Sequence, residues 1–199
     1  IIYYKKGLLD NAIANYTKAI EVNADYAESY YNLGTAYLEQ DQFDNAISYL
    51  EKSTALVPDF TEAYYNLGIA YRKKGMLDEA ISSLNKALGT DPEDLKTLNN
   101  LAIALHEKGK FEDAIFTYEN IAAITPEDAN VHYNLGITYY KAGMQNEAIS
   151  ELQKVLELTP DHTKAHYNLG VIYMGKNKLS KSVEAFQEAL KIEPGYAKA

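Results

Sequence analysis

Residues 61–94 read TEAYYNLGIAYRKKGMLDEAISSLNKALGTDPED. Within this stretch Tyr64, Leu67 and Tyr71, with Gly68 beside them, recur at helical spacing, and Ala80, Leu84 and Ala87 do so again. Gly75 lies between the two patterns and tolerates the left-handed conformation that ends a helix. Pro92 stops the second pattern, because proline lacks an amide donor and clashes with the preceding turn. The stretch predicts two short amphipathic helices, each too thin to bury its apolar face alone.

Outward from this unit the same layout repeats. Pro58, Pro92, Pro126, Pro160 and Pro194 are all the prolines in the chain, and successive ones stand 34 residues apart. Leu33, Leu67, Leu101, Leu135 and Leu169 form one column, and Gly34, Gly68, Ala102, Gly136 and Gly170 the next. Tyr37, Tyr71, Leu105, Tyr139 and Tyr173 follow, and Ala12, Ala46, Ala80, Ala114, Ala148 and Ser182 mark the second helix. The turn column holds Gly7, Asp41, Gly75, Gly109, Gly143 and Asn177. A fixed period of this length is the signature of a repeat array. Small residues in the Gly34 and Ala46 columns let helices cross closely, so replacing Gly68 or Ala80 by Leu should overpack by about 1–3 kcal/mol or more.

The eight columns exemplified by Tyr64, Leu67, Gly68, Tyr71, Ala80, Leu84, Ala87 and Pro92 resemble the tetratricopeptide repeat signature, with Tyr64 where that family prefers Trp and Leu84 where it prefers Phe. The resemblance covers residues 1–199 as a single array. It divides into a partial repeat at 1–26, full repeats at 27–60, 61–94, 95–128, 129–162 and 163–196, and the start of another at 197–199. It implies an all-α fold, an α-α superhelix in which antiparallel helix pairs form a right-handed solenoid. Ile1, Ile2, Tyr3 and Tyr4 read as mid-helix, and no polar capping helix closes the C-terminal end, so both ends are expected to lie mid-repeat.

Composition narrows the function classes. A chain of 199 residues with 47% hydrophobic and 24% charged residues has ample material to bury. No apolar run approaches the roughly 20 residues of a transmembrane helix, so direct membrane insertion is not expected. The absence of cysteine rules out disulfides and thiolate chemistry and fits a reducing compartment, with the cytoplasm the expectation. A net charge of −9 repels phosphate backbones, so nucleic acid is a poor default partner.

On each first helix the side opposite the packing residues is expected to face a partner, and the family resemblance implies that it lines a concave groove. Its most regular feature is one asparagine per repeat: Asn32, Asn66, Asn100, Asn134 and Asn168. An amide offers donors and an acceptor, which matches a peptide bond without reading a side chain. The same asparagines could instead bond only within or between helices. A similar ladder occurs in the repeat region of O-linked N-acetylglucosamine transferases, a resemblance that favours the binding reading. Each amide bond contributes about 0.5–1.5 kcal/mol net, so side-chain pockets must add to a ladder of them. Candidates are Tyr31, Tyr65, Tyr133 and Tyr167, broken by Asn99, and the aliphatic column Ile69, Ile103, Ile137 and Val171 that starts as Thr35. Inter-repeat packing is the alternative for the tyrosines. Arg72, Lys73, His106 and Lys141 complete the candidate groove, whose charge is mixed, with Glu28, Glu39 and Glu62 toward the N-terminal end.

Some members of the family clamp a terminal carboxylate, which the resemblance ties to Lys on the Tyr31 column and Asn on the Thr35 column. No repeat here carries that pair. His162 and His166 stand four apart, a metal-ligand spacing, but lack an evident third ligand, and His132 and His166 occupy a column of large packing residues. No phosphate loop, dinucleotide fingerprint, nucleophile elbow or zinc-protease motif is present. The expectation is a non-enzymatic scaffold without cofactor or metal that holds an extended peptide or protein segment. The targeting region of a larger enzyme such as a glycosyltransferase, and a self-assembling scaffold joined through repeat ends or groove, are the alternatives.

Overall fold

The computed structural model describes residues 8–196. They fold into eleven helices: α1 Leu9–Val22, α2 Ala27–Glu39, α3 Phe43–Leu56, α4 Thr61–Lys73, α5 Leu77–Leu88, α6 Leu95–Glu107, α7 Phe111–Ile124, α8 Ala129–Lys141, α9 Gln145–Leu158, α10 Thr163–Gly175 and α11 Leu179–Ile192. The readings placed on Ile1 to Tyr4, Gly7 and 197–199 fall outside the described residues. The chain divides into two compact units, Ile1–Lys108 and Gly109–Ala199. In the first, α1 to α6 pack in sequence, with α2 against α4 and α4 against α6; in the second, α7 to α11 do likewise, with α8 against α10. Each unit is thus a stack of antiparallel helix pairs.

Local chemistry sets the helix ends. Asp41, Gly75, Gly109, Gly143 and Asn177 all have φ between +57° and +82°, so every described member of the turn column takes the left-handed conformation. The residue before proline is driven to extended backbone, and Val57, ahead of Pro58, stops α3 at φ −129° and ψ 94°. α5 ends earlier, at Leu88, because Gly89 weakens its last turn. Asp94 and Asp128 cap α6 and α8 by accepting the amides of Thr97 at 3.0 Å and Asn130 at 2.9 Å.

The packing core follows the columns. Leu33, Ala46, Leu50, Ala80, Leu84, Ala148 and Leu152 are wholly buried. A Cβ added at Gly34 would lie 2.7 Å from Leu50 Cγ, and one at Gly68 2.6 Å from Leu84 Cγ. The missing side chain is therefore what admits the facing leucine.

Three kinds of polar link tie successive repeats. Lys74 pairs with Asp44 and Lys108 with Asp78, while Lys176 donates to Asn146 Oδ1 at 2.9 Å and Gln40 to Asp10 at 2.9 Å, all across 30 residues from one turn to the previous second helix. The second kind joins the Tyr71 hydroxyl to Glu51 Oε1 at 2.5 Å and the Tyr139 hydroxyl to Glu119. Burial, followed by the glutamate bond and the charges of neighbouring glutamates, pushes both phenols well above their ordinary value. An acid with a raised folded pKa holds its proton in the native state after the unfolded chain has lost it, so stability present below about pH 10 is lost as pH rises further. Denaturant midpoints measured from pH 9 to 11 should fall, and should fall less steeply for the double variant Tyr71→Phe/Tyr139→Phe. The third kind lies on the first-helix faces.

Candidate peptide-binding faces on the first helices

Helical periodicity puts the asparagine, tyrosine and aliphatic columns on one side of each first helix, as their half-buried state shows. In the first unit α2 carries Tyr31 and Asn32, α4 carries Tyr65, Asn66, Ile69, Arg72 and Lys73, and α6 carries Asn99, Asn100, Ile103 and His106. In the second unit α8 carries Tyr133, Asn134, Ile137 and Lys141, and α10 carries Tyr167, Asn168 and Val171. Of these, Lys73 and Lys141 are exposed and the rest are half-buried.

The asparagines do more than the sequence suggests. Asn100 Nδ2 donates to the Lys96 carbonyl at 2.9 Å and to the Tyr65 hydroxyl at 3.2 Å. Asn168 Nδ2 repeats this with the Lys164 carbonyl at 2.8 Å and the Tyr133 hydroxyl at 3.1 Å. Asn32 bonds the Glu28 carbonyl at 2.8 Å, and Asn66 reaches Thr35 Oγ1 of the preceding repeat at 2.9 Å. At Asn100 and Asn168 both amide protons are therefore spent within the protein, leaving Oδ1 as an acceptor. The expected donors come instead from the tyrosines: Tyr65 and Tyr133 accept from asparagine and retain their own O–H. Burial is the main force raising both phenols, opposed by the asparagine bonds, so they stay protonated donors at neutral pH.

The tyrosine rings also pack against an aromatic residue just past the following inter-repeat turn. Tyr31 lies 4.9 Å from Phe60, Tyr133 4.9 Å from His162, and Tyr167 5.6 Å from Tyr196, between ring centroids. Column 31 thus has a packing role between repeats together with a partly open face. The sequence signal for it was the column Tyr26, Phe60, His162 and Tyr196, which Asp94 and Asp128 interrupt.

Shape and charge vary along the first unit. Thr35, Leu38 and Glu39 of α2 and Asn66, Ile69 and Lys73 of α4 line a cleft of about 350 Å³. Beyond it Arg72 Nη1 pairs with Glu107 Oε1 at 3.0 Å, bridging α4 and α6. Arg72 Nε is buried without a partner among the described residues.

The histidines have structural work. His132 joins Glu151 Oε2 at 2.6 Å and the Pro126 carbonyl at 3.0 Å. His166 bonds the Pro160 carbonyl at 2.9 Å in the same way, stapling the inter-repeat turn. His162 Nδ1 accepts the Ala165 amide at 3.1 Å as a helix cap, and burial lowers its pKa, which keeps that nitrogen free to accept. The described residues contain no cluster of metal-ligating side chains and no helix long and apolar enough to cross a membrane.

Comparison with known families decides the identity of this architecture. A model described as the cilia and flagella-associated protein 70 C-terminal domain, a tetratricopeptide-repeat domain, matches residues 1–198. The chain belongs to this tetratricopeptide-repeat family. Among solved structures, the array superposes on YrrB, described as a TPR protein with an unusual peptide-binding site, with a TM-score of 0.78 at 28% identity, covering 92% of this chain and 94% of that one. MamA matches with a TM-score of 0.77 at 27% identity, over 84% of this chain and 98% of that one. MamA of Desulfovibrio magneticus RS-1 matches with a TM-score of 0.80 at 24% identity, over 85% and 96% of the two chains, and speaks to the fold alone. A comparison with curated protein sequences gave no match. Tetratricopeptide domains are in general non-catalytic protein-interaction modules, and this chain has the fold of such a scaffold.

Proposed function

We propose that the first-helix faces hold an extended segment of a partner protein through its backbone. The observation that carries this reading is the pairing at Asn100 with Tyr65 and at Asn168 with Tyr133. Each pair leaves one acceptor, the asparagine Oδ1, beside one donor, the tyrosine hydroxyl. That combination complements a peptide group, and it occurs once in each unit, whereas Asn66 bonds Thr35 and the tyrosine column is broken at Asn99. The half-buried Ile69, Ile103, Ile137 and Val171 supply apolar contact beside it, and Lys73 and Lys141 supply charge at the open edge. The peptide-binding site of YrrB, a structure at 28% identity over most of both chains, supports the same class of ligand.

Peptides selected against the chain from a displayed random library test the proposal. Asn100→Ala and Tyr65→Phe should each weaken a selected peptide by about 5–10-fold, the loss of one hydrogen bond of roughly 1–1.4 kcal/mol. Hydrogen exchange of the complex should show protection on α2, α4 and α6 or on α8 and α10. Selected peptides that instead protect α3 and α5, and tolerate both substitutions, would overturn it.

A further inference from the structure

A large cavity of the first unit lies among the second helices, on the opposite side from these faces. It measures about 610 Å³ and runs between the second helices α3 and α5, floored by α4. That volume falls in the range of small-ligand sites, roughly 300–1,000 Å³. Leu67 and Tyr71 on α4 give it a buried apolar and aromatic floor, Tyr64 forms one side, and Glu51 of α3 and Glu79 of α5 stand on its walls. Glu51 is anchored, because Oε1 accepts the Tyr71 hydroxyl at 2.5 Å. Glu79 is exposed and has no bonded partner among the described residues. Asp78, at the rim, is already paired with Lys108.

A cation already sits in this cleft. Lys86 Nζ lies 4.9 Å from the centroid of the Tyr64 ring, within the distance at which an aromatic face attracts a positive charge. The protein's own ammonium marks where a ligand cation would be held. In the second unit the counterpart of Tyr64, two periods on, is His132, whose ring is bound to Glu151 and the Pro126 carbonyl, so the tyrosine face is replaced there.

We propose that the α3–α5 cleft is a second binding site, taking an arginine side chain from a basic segment of a partner protein. The guanidinium would stack on Tyr64 in place of Lys86 and fork its N–H groups toward Glu79 and the free oxygen of Glu51. Arginine suits the cleft better than lysine because its planar group can stack on a ring and bond carboxylates at the same time. The surrounding charge agrees, with a chain that carries −9 overall. Lys86 is then a tethered competitor, and its removal strengthens binding whereas removal of either carboxylate weakens it.

The probe is the peptide acetyl-Gly-Arg-Gly-Arg-Gly-amide, titrated into protein with isotope-labelled tyrosine rings at physiological salt and followed by NMR. The Tyr64 and Tyr71 ring signals should move saturably. Glu79→Gln and Glu51→Gln should each raise Kd about fivefold or more, Lys86→Met should lower it at least twofold, and Glu112→Gln, an exposed acid on α7, should leave it unchanged. Helical circular dichroism checks the fold of each variant, and if Glu51→Gln fails that check the exposed positions Glu79 and Lys86 decide. Unmoved Tyr64 and Tyr71 signals, a Kd for Glu79→Gln or Lys86→Met equal to the parent's, weaker binding by Lys86→Met, or an equal loss in Glu112→Gln would each overturn the proposal.

Discussion

Gly68→Leu should destabilise the first unit by about 3 kcal/mol, the upper end of the ordinary range for overpacking. The first carbon of the new side chain would already lie 2.6 Å from Leu84 Cγ and 2.8 Å from its Cδ2, with the Ala80 carbonyl at 3.3 Å. Leu84 is wholly buried and has nowhere to go. Replacing a mid-helix glycine by alanine gains about 1 kcal/mol of helix propensity, so even Gly68→Ala sets that gain against the clash, and the clash should win. Gly136→Ala is the contrasting case, because its Cβ would meet Leu152 Cγ only at 3.1 Å and Glu151 Cβ at 3.3 Å. There the propensity gain should nearly cancel the crowding. Denaturant unfolding of the three variants should rank them Gly68→Leu, Gly68→Ala, Gly136→Ala from least to most stable. Pairing Gly68→Ala with Leu84→Ala should cost less than the sum of the single changes, because each vacates space for the other. Additive losses would mean that the two positions do not share a packing site.

Leu152→Ala should cost about 2–5 kcal/mol, since a wholly buried leucine is lost and the cavity between α8 and α9 cannot collapse against Gly136. In a stacked repeat protein this loss is not spread evenly, because each repeat relies on its immediate neighbours. Hydrogen exchange should therefore show α8 and α9 opening first, ahead of the first unit. Uniform loosening of both units would contradict a nearest-neighbour stack.

The sequence made the skeleton legible because backbone requirements leave narrow choices. Only a few residues tolerate φ near +80°, so Gly75, Gly109 and Gly143 marked their turns without any structure. Likewise, a helix stop at Pro58 needed only the missing amide and the extended residue before it. The candidate site was less legible, because a residue's type does not reveal which of its atoms are already used. The asparagine column was visible, but at Asn100 and Asn168 the two amide protons go to a carbonyl four residues back and to a tyrosine 35 residues back, and that allocation depends on how repeats sit together. The second-helix cleft was missed outright. Its one sequence trace is a glutamate 20 residues before a tyrosine, at Glu51 with Tyr71 and Glu119 with Tyr139, where Leu105 is preceded by Asn85 and Tyr173 by Gln153. No motif search looks across a helix pair at that distance. The histidines were readable as packing residues from their column, though their bonds to Pro126 and Pro160 were not.

The bonds from Asn100 to Tyr65 and from Asn168 to Tyr133 fasten one repeat to the next with the same atoms that line the proposed binding faces. Recognition and pitch are therefore inherited together. A substitution that retunes what one rung accepts also resets the angle between the two repeats that build it, and so shifts the spacing offered to the ligand's next residue. New specificity in such a stack comes more readily from the open-edge positions, Lys73 and Lys141, which can vary without disturbing their neighbours' register.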